Sequence, residues 1–146
     1  MIRLWLVALL ALPVVSCSST PDCLPTKLEV APIDVPGPTA PITLSARLTQ
    51  GDRPVVGAKV GLAFAINTEG MRGGMPTKVA TDSDGVATIE EPGGINSVGV
   101  QGSRTEGYEA SFQPLTTADG FNDHCWSNAS APITCAGAAC PPVPKP

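Results

Sequence analysis

Five cysteines, at positions 17, 23, 125, 135 and 140, are the residues of this 146-residue chain best placed to do chemistry. Beside them stand one histidine, His124, one tyrosine, Tyr108, and 13 carboxylates. His124 abuts Cys125, with Cys135 and Cys140 downstream, which sketches a zinc site. The cysteine spacings of nine and four intervening residues lack the C-x2-C knuckle that such a site uses. A single histidine in the C-terminal part of the chain completes no Ser-His-Asp or Cys-His set. Acid–base work by two carboxylates is the catalytic class the inventory leaves open, and no pair is singled out by spacing. Asp82-Ser83-Asp84-Gly85 reads like the opening of a calcium loop, but position 12 counted from Asp82 is Gly93, where a glutamate is needed. The same four residues are full turn chemistry, and a hairpin turn is expected there. The reading is a protein without catalytic residues, metal or cofactor.

Cys17 stands apart from the other four. It follows Met-Ile-Arg, an almost wholly apolar run from Leu4 to Val15, and Ser16. A charged start, a short apolar run and a small residue before the cut describe an export leader. At 12 residues, the run falls short of the ~20 needed to span a bilayer. Val14-Val15-Ser16-Cys17 resembles the lipobox of bacterial lipoproteins. That resemblance implies lipid on the Cys17 sulfur, removal of residues 1–16 and anchoring in a bacterial cell membrane or outer membrane, on its extracytoplasmic side. An ordinary secretory leader would also accept Val14 and Ser16. Lipidation is preferred because it leaves four cysteines, an even number for an exported chain. Cys23, Cys125, Cys135 and Cys140 are then disulfide candidates, since thiols do not persist in an oxidising compartment.

The formal net charge is −4, and losing Arg3 with the leader makes it more negative. An acidic chain without a basic cluster excludes nucleic acid as a partner and electrostatic adsorption to anionic lipid. Sixteen prolines and 15 glycines favour short strands and turns over helices. Residues 17–25 form a lipidated tether that lifts a domain off the membrane.

Strand signals then recur. Ile42, Leu44, Ala46 and Leu48 alternate with Thr43, Ser45, Arg47 and Thr49, the period of a half-buried antiparallel strand. Val60, Leu62, Phe64 and Ile66 form a second inward face. Its reverse, Lys59, Gly61, Ala63 and Ala65, is small, which places something close above a central strand. Further strands are expected at 26–31, 77–81, 86–90, 97–101 and 108–113. Residues 32–41, with four prolines, are a loop or an edge segment. About seven short strands and no helix predict an all-β fold: one antiparallel Greek-key sandwich over 26–116, followed by an irregular cysteine-containing tail over 117–146.

The runs Pro41–Thr49, Arg53–Val60 and Ala80–Ile89, with the Gly107-Tyr108 step, resemble bacterial Ig-like domains and the related prealbumin-like, carboxypeptidase-regulatory-like repeats. The resemblance covers about 27–115 and implies a sandwich used as a stalk, spacer or adhesion module. Some prealbumin-like proteins are hydrolases built on several His and Arg, and some sandwich dioxygenases hold iron through His and Tyr. One His and one Tyr do not match either pattern.

Two disulfide pairings fit. The 11 residues from Pro114 to His124 extend over ~30 Å, enough for the tail to return beside the first strand. Cys23–Cys125 with Cys135–Cys140 is preferred, and Cys23–Cys140 with Cys125–Cys135 stays open. The loop 67–76, with Met71, Arg72 and Met75 among glycines, is the candidate partner-binding surface. Its plain alternative is a connection whose methionines plug the end of the core. The Asn128-Ala129-Ser130 sequon is read as accidental beside a bacterial leader. The expected function is a non-catalytic envelope lipoprotein with a protein or envelope partner. An accessory or regulatory subunit of an envelope transporter or enzyme is the alternative, and a carboxylate-based hydrolase a distant one.

Overall fold

The alternating run at 42–49 is the spine of the smaller of two sheets. In the computed structural model, which describes residues 22–68, 71–114 and 120–145, this run is β3 (Ile42–Gln50). It pairs antiparallel with β1 (Lys27–Glu29), β4 (Arg53–Pro54) and β8 (Val86–Glu91). Ile42, Leu44, Ala46 and Leu48 point inward and are at most 3% exposed. Thr49, expected outside, is buried because β1 and β4 both meet β3 at that residue.

The larger sheet holds β5 (Lys59–Thr68), β6 (Met71–Gly73), β7 (Thr77–Ala80), β9 (Arg104–Phe112), β10 (Ser127–Cys135) and β11 (Ala138–Ala139). Its order is β11-β10-β9-β5-β6, with β7 also on β5 and the short β2 (Ile33–Val35) parallel to β10. Val60, Leu62 and Phe64 of β5 and Tyr108, Ala110 and Phe112 of β9 face the β3 stripe across the core. Burial of such a continuous apolar layer, at ~25 cal/mol per Å2, is what holds the two sheets together. The result is the all-β, sandwich-like fold that the strand pattern predicts.

The Asp82–Gly85 turn is present, but it joins no hairpin: β7 pairs with β5 in the larger sheet and β8 with β3 in the smaller, so the turn carries the chain from one sheet to the other. Asp82 Oδ1 accepts the backbone N–H groups of Asp84 and Val86, each at 2.9 Å. Gly85 takes φ 75°, a conformation L side chains rarely adopt, and an added Cβ would meet the Leu48 carbonyl oxygen at 2.6 Å. The Asp82 carboxylate is therefore spent on its own turn.

Two further expectations are corrected. Residues 127–135 are not an irregular tail but β10, a nine-residue strand registered on β9 from Ser127↔Phe112 to Pro132↔Gly107. Residues 97–101 form no strand. Ile95–Val98 make instead one helical turn, α1, closed by the Gly99 N–H on the Ile95 carbonyl at 3.2 Å. Glycines on both sides isolate this short apolar run, so no neighbouring strand fixes it in an extended form.

Candidate functional site

The sheet registers give the domain two distinct ends. Val60, Phe112 and Ser127 align at one, and Asn67 and Arg104 align at the other, toward which β10 runs to Cys135. The ten steps from Cys125 to Cys135 span roughly 33 Å at ~3.3 Å each. Each end carries one disulfide.

At the first end, Cys23 bonds Cys125, with Cα atoms 5.0 Å apart. Backbone pairing extends the fastening. The Leu24 N–H donates to the Asp123 carbonyl at 2.7 Å, and the Cys125 N–H donates to the Leu24 carbonyl at 2.8 Å. Thr26 Oγ1 donates to the Cys125 carbonyl at 2.8 Å. His124 sits edge-on to Phe121, ring centroids 5.4 Å apart, with Nδ1 2.7 Å from Asp123 Oδ1. All three cysteines of the sketched zinc site are in disulfides, Cys125 with Cys23 and Cys135 with Cys140, and His124 is packed against the rings of Phe112 and Phe121. Trp126, next to the disulfide, is 68% exposed.

At the far end, Cys135 bonds Cys140, Cα atoms 4.9 Å apart, across the tight β10–β11 turn. Ala136 and Gly137 both take positive φ, 49° and 76°, as a two-residue hairpin turn of the I′ kind requires. Asp34 of β2 secures that turn. Its Oδ1 accepts Thr134 Oγ1 at 2.6 Å and the Gly137 N–H at 2.9 Å, and these two bonds hold its carboxyl below the ordinary value. The β5–β6 hairpin, paired Thr68↔Met71 and Asn67↔Arg72, reaches this same end. Met75 is 94% exposed, so it does not plug the core. The side chains of Met71 and Arg72 lie outside the described residues, as does Cys17.

The sequence missed a third feature, although it left a signal. The small reverse face of β5 does have something close above it. A Cβ added at Gly61 would stand 3.1 Å from Pro76 Cβ. Beyond Pro76 the face opens into a cleft of about 450 Å3 across β5, β9 and β10, lined by Ala63, Glu109, Ser111, Asn128 and Ser130. One carboxylate among hydroxyls and an amide can hydrogen-bond a partner. Among the described residues lining the cleft, Glu109 has no second acid or base to complete an acid–base pair. Among the described residues, no three His, Cys, Asp or Glu side chains converge as metal ligands, and no helix is long and apolar enough to cross a membrane.

No protein-family model matches this chain, and no curated protein matches it.

Proposed function

We propose that this chain is a non-catalytic lipoprotein of the bacterial cell envelope. Cys17 carries the lipid, and the sandwich is displayed outside the membrane as an Ig-like binding or structural module. The observation that carries the reading is the cysteine account. The four cysteines of the described residues are joined in two disulfides, and the fifth of the sequence is Cys17, directly behind the apolar leader. Disulfides suit an exported chain, and an unpaired fifth thiol in that compartment suits modification. The fastening of Cys23 to Cys125 supports a load-bearing role for the tether, because a pull on residues 17–22 is passed to β10 through a covalent bond. The cleft with its single carboxylate favours recognition over hydrolysis.

Intact mass and detergent-phase partition of the protein from its own host, beside a Cys17→Ala variant, test this reading. The expected product starts at Cys17, carries two or more acyl chains and has four thiols lost to disulfides. A soluble, unacylated wild-type product would overturn it.

A further inference from the structure

We infer that Trp126 is a membrane-interface anchor that seats the Cys125 end of the domain in the headgroup layer of the same bilayer that holds the Cys17 lipid. The inference rests on the lipoprotein reading and adds to it how the domain is oriented: held against the bilayer, and not lifted off it as residues 17–25 alone suggest, because Cys23 and Leu24 are fastened to the domain.

Trp126 and Leu24 keep 68% and 39% of their surface exposed at this end, although the core of the fold is closed. Trp126 borders a shallow depression shared with Pro114 and the Cys23–Cys125 bridge. The described chain begins at Asp22, beside this patch. Cys17 is six residues before Cys23, and six residues reach at most ~22 Å when fully extended. Cys23 is bonded to Cys125, and Trp126 is the next residue. The lipid therefore confines this corner, and no other part of the domain so tightly, to the membrane surface.

Within that reach, insertion is an intramolecular event at high effective concentration, so one or two side chains suffice. Indole suits the site because it has an apolar body and a polar N–H, and tryptophan concentrates where hydrocarbon meets water. Charge does not supply the attraction. Asp22 and Asp123 are exposed here, and Lys27 is paired with Glu29 at 2.5 Å. The contact is accordingly one with zwitterionic lipid and insensitive to salt.

The chain provides its own probe. Its two tryptophans are Trp5 and Trp126, and Trp5 lies in the leader that processing removes. The acylated protein, verified by mass, would be reconstituted into phosphatidylcholine vesicles with bromine at shallow or deep acyl positions. The expected result is a blue shift of Trp126 emission relative to an oxidised soluble protein expressed from Ser18, which lacks the lipid and Trp5 alike, with stronger quenching by shallow than by deep bromine and no change on adding salt. Leu24→Ser, and a Gly/Ser insertion after Ser19 that doubles the tether, should each reduce the quenching and leave acylation and both disulfides intact. An acylated, vesicle-bound protein whose Trp126 emission stays unshifted and unquenched would overturn the inference and leave the lipoprotein reading standing. A blue shift that grows with protein concentration without lipid would overturn it in favour of a second copy covering the patch. A chain without acyl groups would overturn both.

Discussion

The Tyr108 hydroxyl donates to the Ala31 carbonyl at 2.9 Å and accepts the Ala31 N–H at 3.2 Å. Ser45 carbonyl oxygen lies a further 3.1 Å from the same hydroxyl. Tyr108 belongs to β9 of the larger sheet, whereas Ala31 follows β1 and Ser45 lies in β3 of the smaller one. A single phenol, 1% exposed, thus bolts one sheet to the backbone of the other. Apolar contact between the sheets is not directional, but this contact fixes their relative position.

Replacing Tyr108 with Phe keeps the ring and removes the bolt. Both polar groups of Ala31 lose this partner in a partly buried setting, so the expected loss is about 1–3 kcal/mol in denaturant unfolding. Unchanged stability would mean that water replaces the hydroxyl without cost.

The same residue predicts an alkaline limit. Burial raises the Tyr108 hydroxyl above its ordinary value of 10.0, and the Ala31 hydrogen bond offsets this in part. A raised folded value means that the unfolded chain ionises first. The contribution is complete below pH 10.0 and is lost as pH rises through the folded value. Tyr108 is the only tyrosine, so phenolate absorbance reports it directly. Wild type should lose stability over this window more steeply than Tyr108→Phe.

The two disulfides should differ in weight. Cys23–Cys125 closes a separation of 102 residues and Cys135–Cys140 one of 5. Chain entropy assigns about 4.7 kcal/mol to a loop near 100 residues and about 2 kcal/mol to one near five. Paired Cys→Ser variants, compared in urea, should therefore rank with the long loop the more damaging. The reverse order would show that buried Cys140, 1% exposed, acts through packing and not through the loop.

Asp34 predicts an acid-sensitive turn at the far end. Its carboxyl is held below 3.8 by Thr134 and then by Gly137. A depressed folded value contributes stability above the unfolded value, lost as pH falls through the folded one. Exchange of the Gly137 amide should quicken below pH 3.8 in wild type, and in Asp34→Ala, which has no side-chain acceptor, it should be fast at neutral pH already. Equal protection in the two proteins would remove Asp34 as the clasp.

Gly107 marks a close approach of two strands. A Cβ there would stand 2.3 Å from the Ala131 carbonyl oxygen, a backbone atom that cannot swing aside. Gly107→Ala should cost about 1–3 kcal/mol by forcing β9 and β10 apart, seen in thermal unfolding.

The sequence by itself determined the strands whose two faces differ. Ile42, Leu44, Ala46 and Leu48 announce β3, and Val60, Leu62 and Phe64 announce β5, because a half-buried strand must alternate and alternation is written in side chains. It also determined the Asp82–Gly85 turn, whose backbone demands those residues. Only tertiary structure decided the place of β10. Ser127–Cys135 carries small side chains and Pro132, and reads as a tail. It becomes a strand because the backbone of β9 offers it a ladder, and backbone hydrogen bonds carry no side-chain code. Pro132 is tolerated because up to that residue β10 has one partner strand, so its missing N–H leaves no second neighbour unsatisfied. The choice between the two cysteine pairings was likewise left to distance in space. Cys23 and Cys125 are 102 residues apart along the chain, and only the folded path of the segments around them brings their Cα atoms to 5.0 Å.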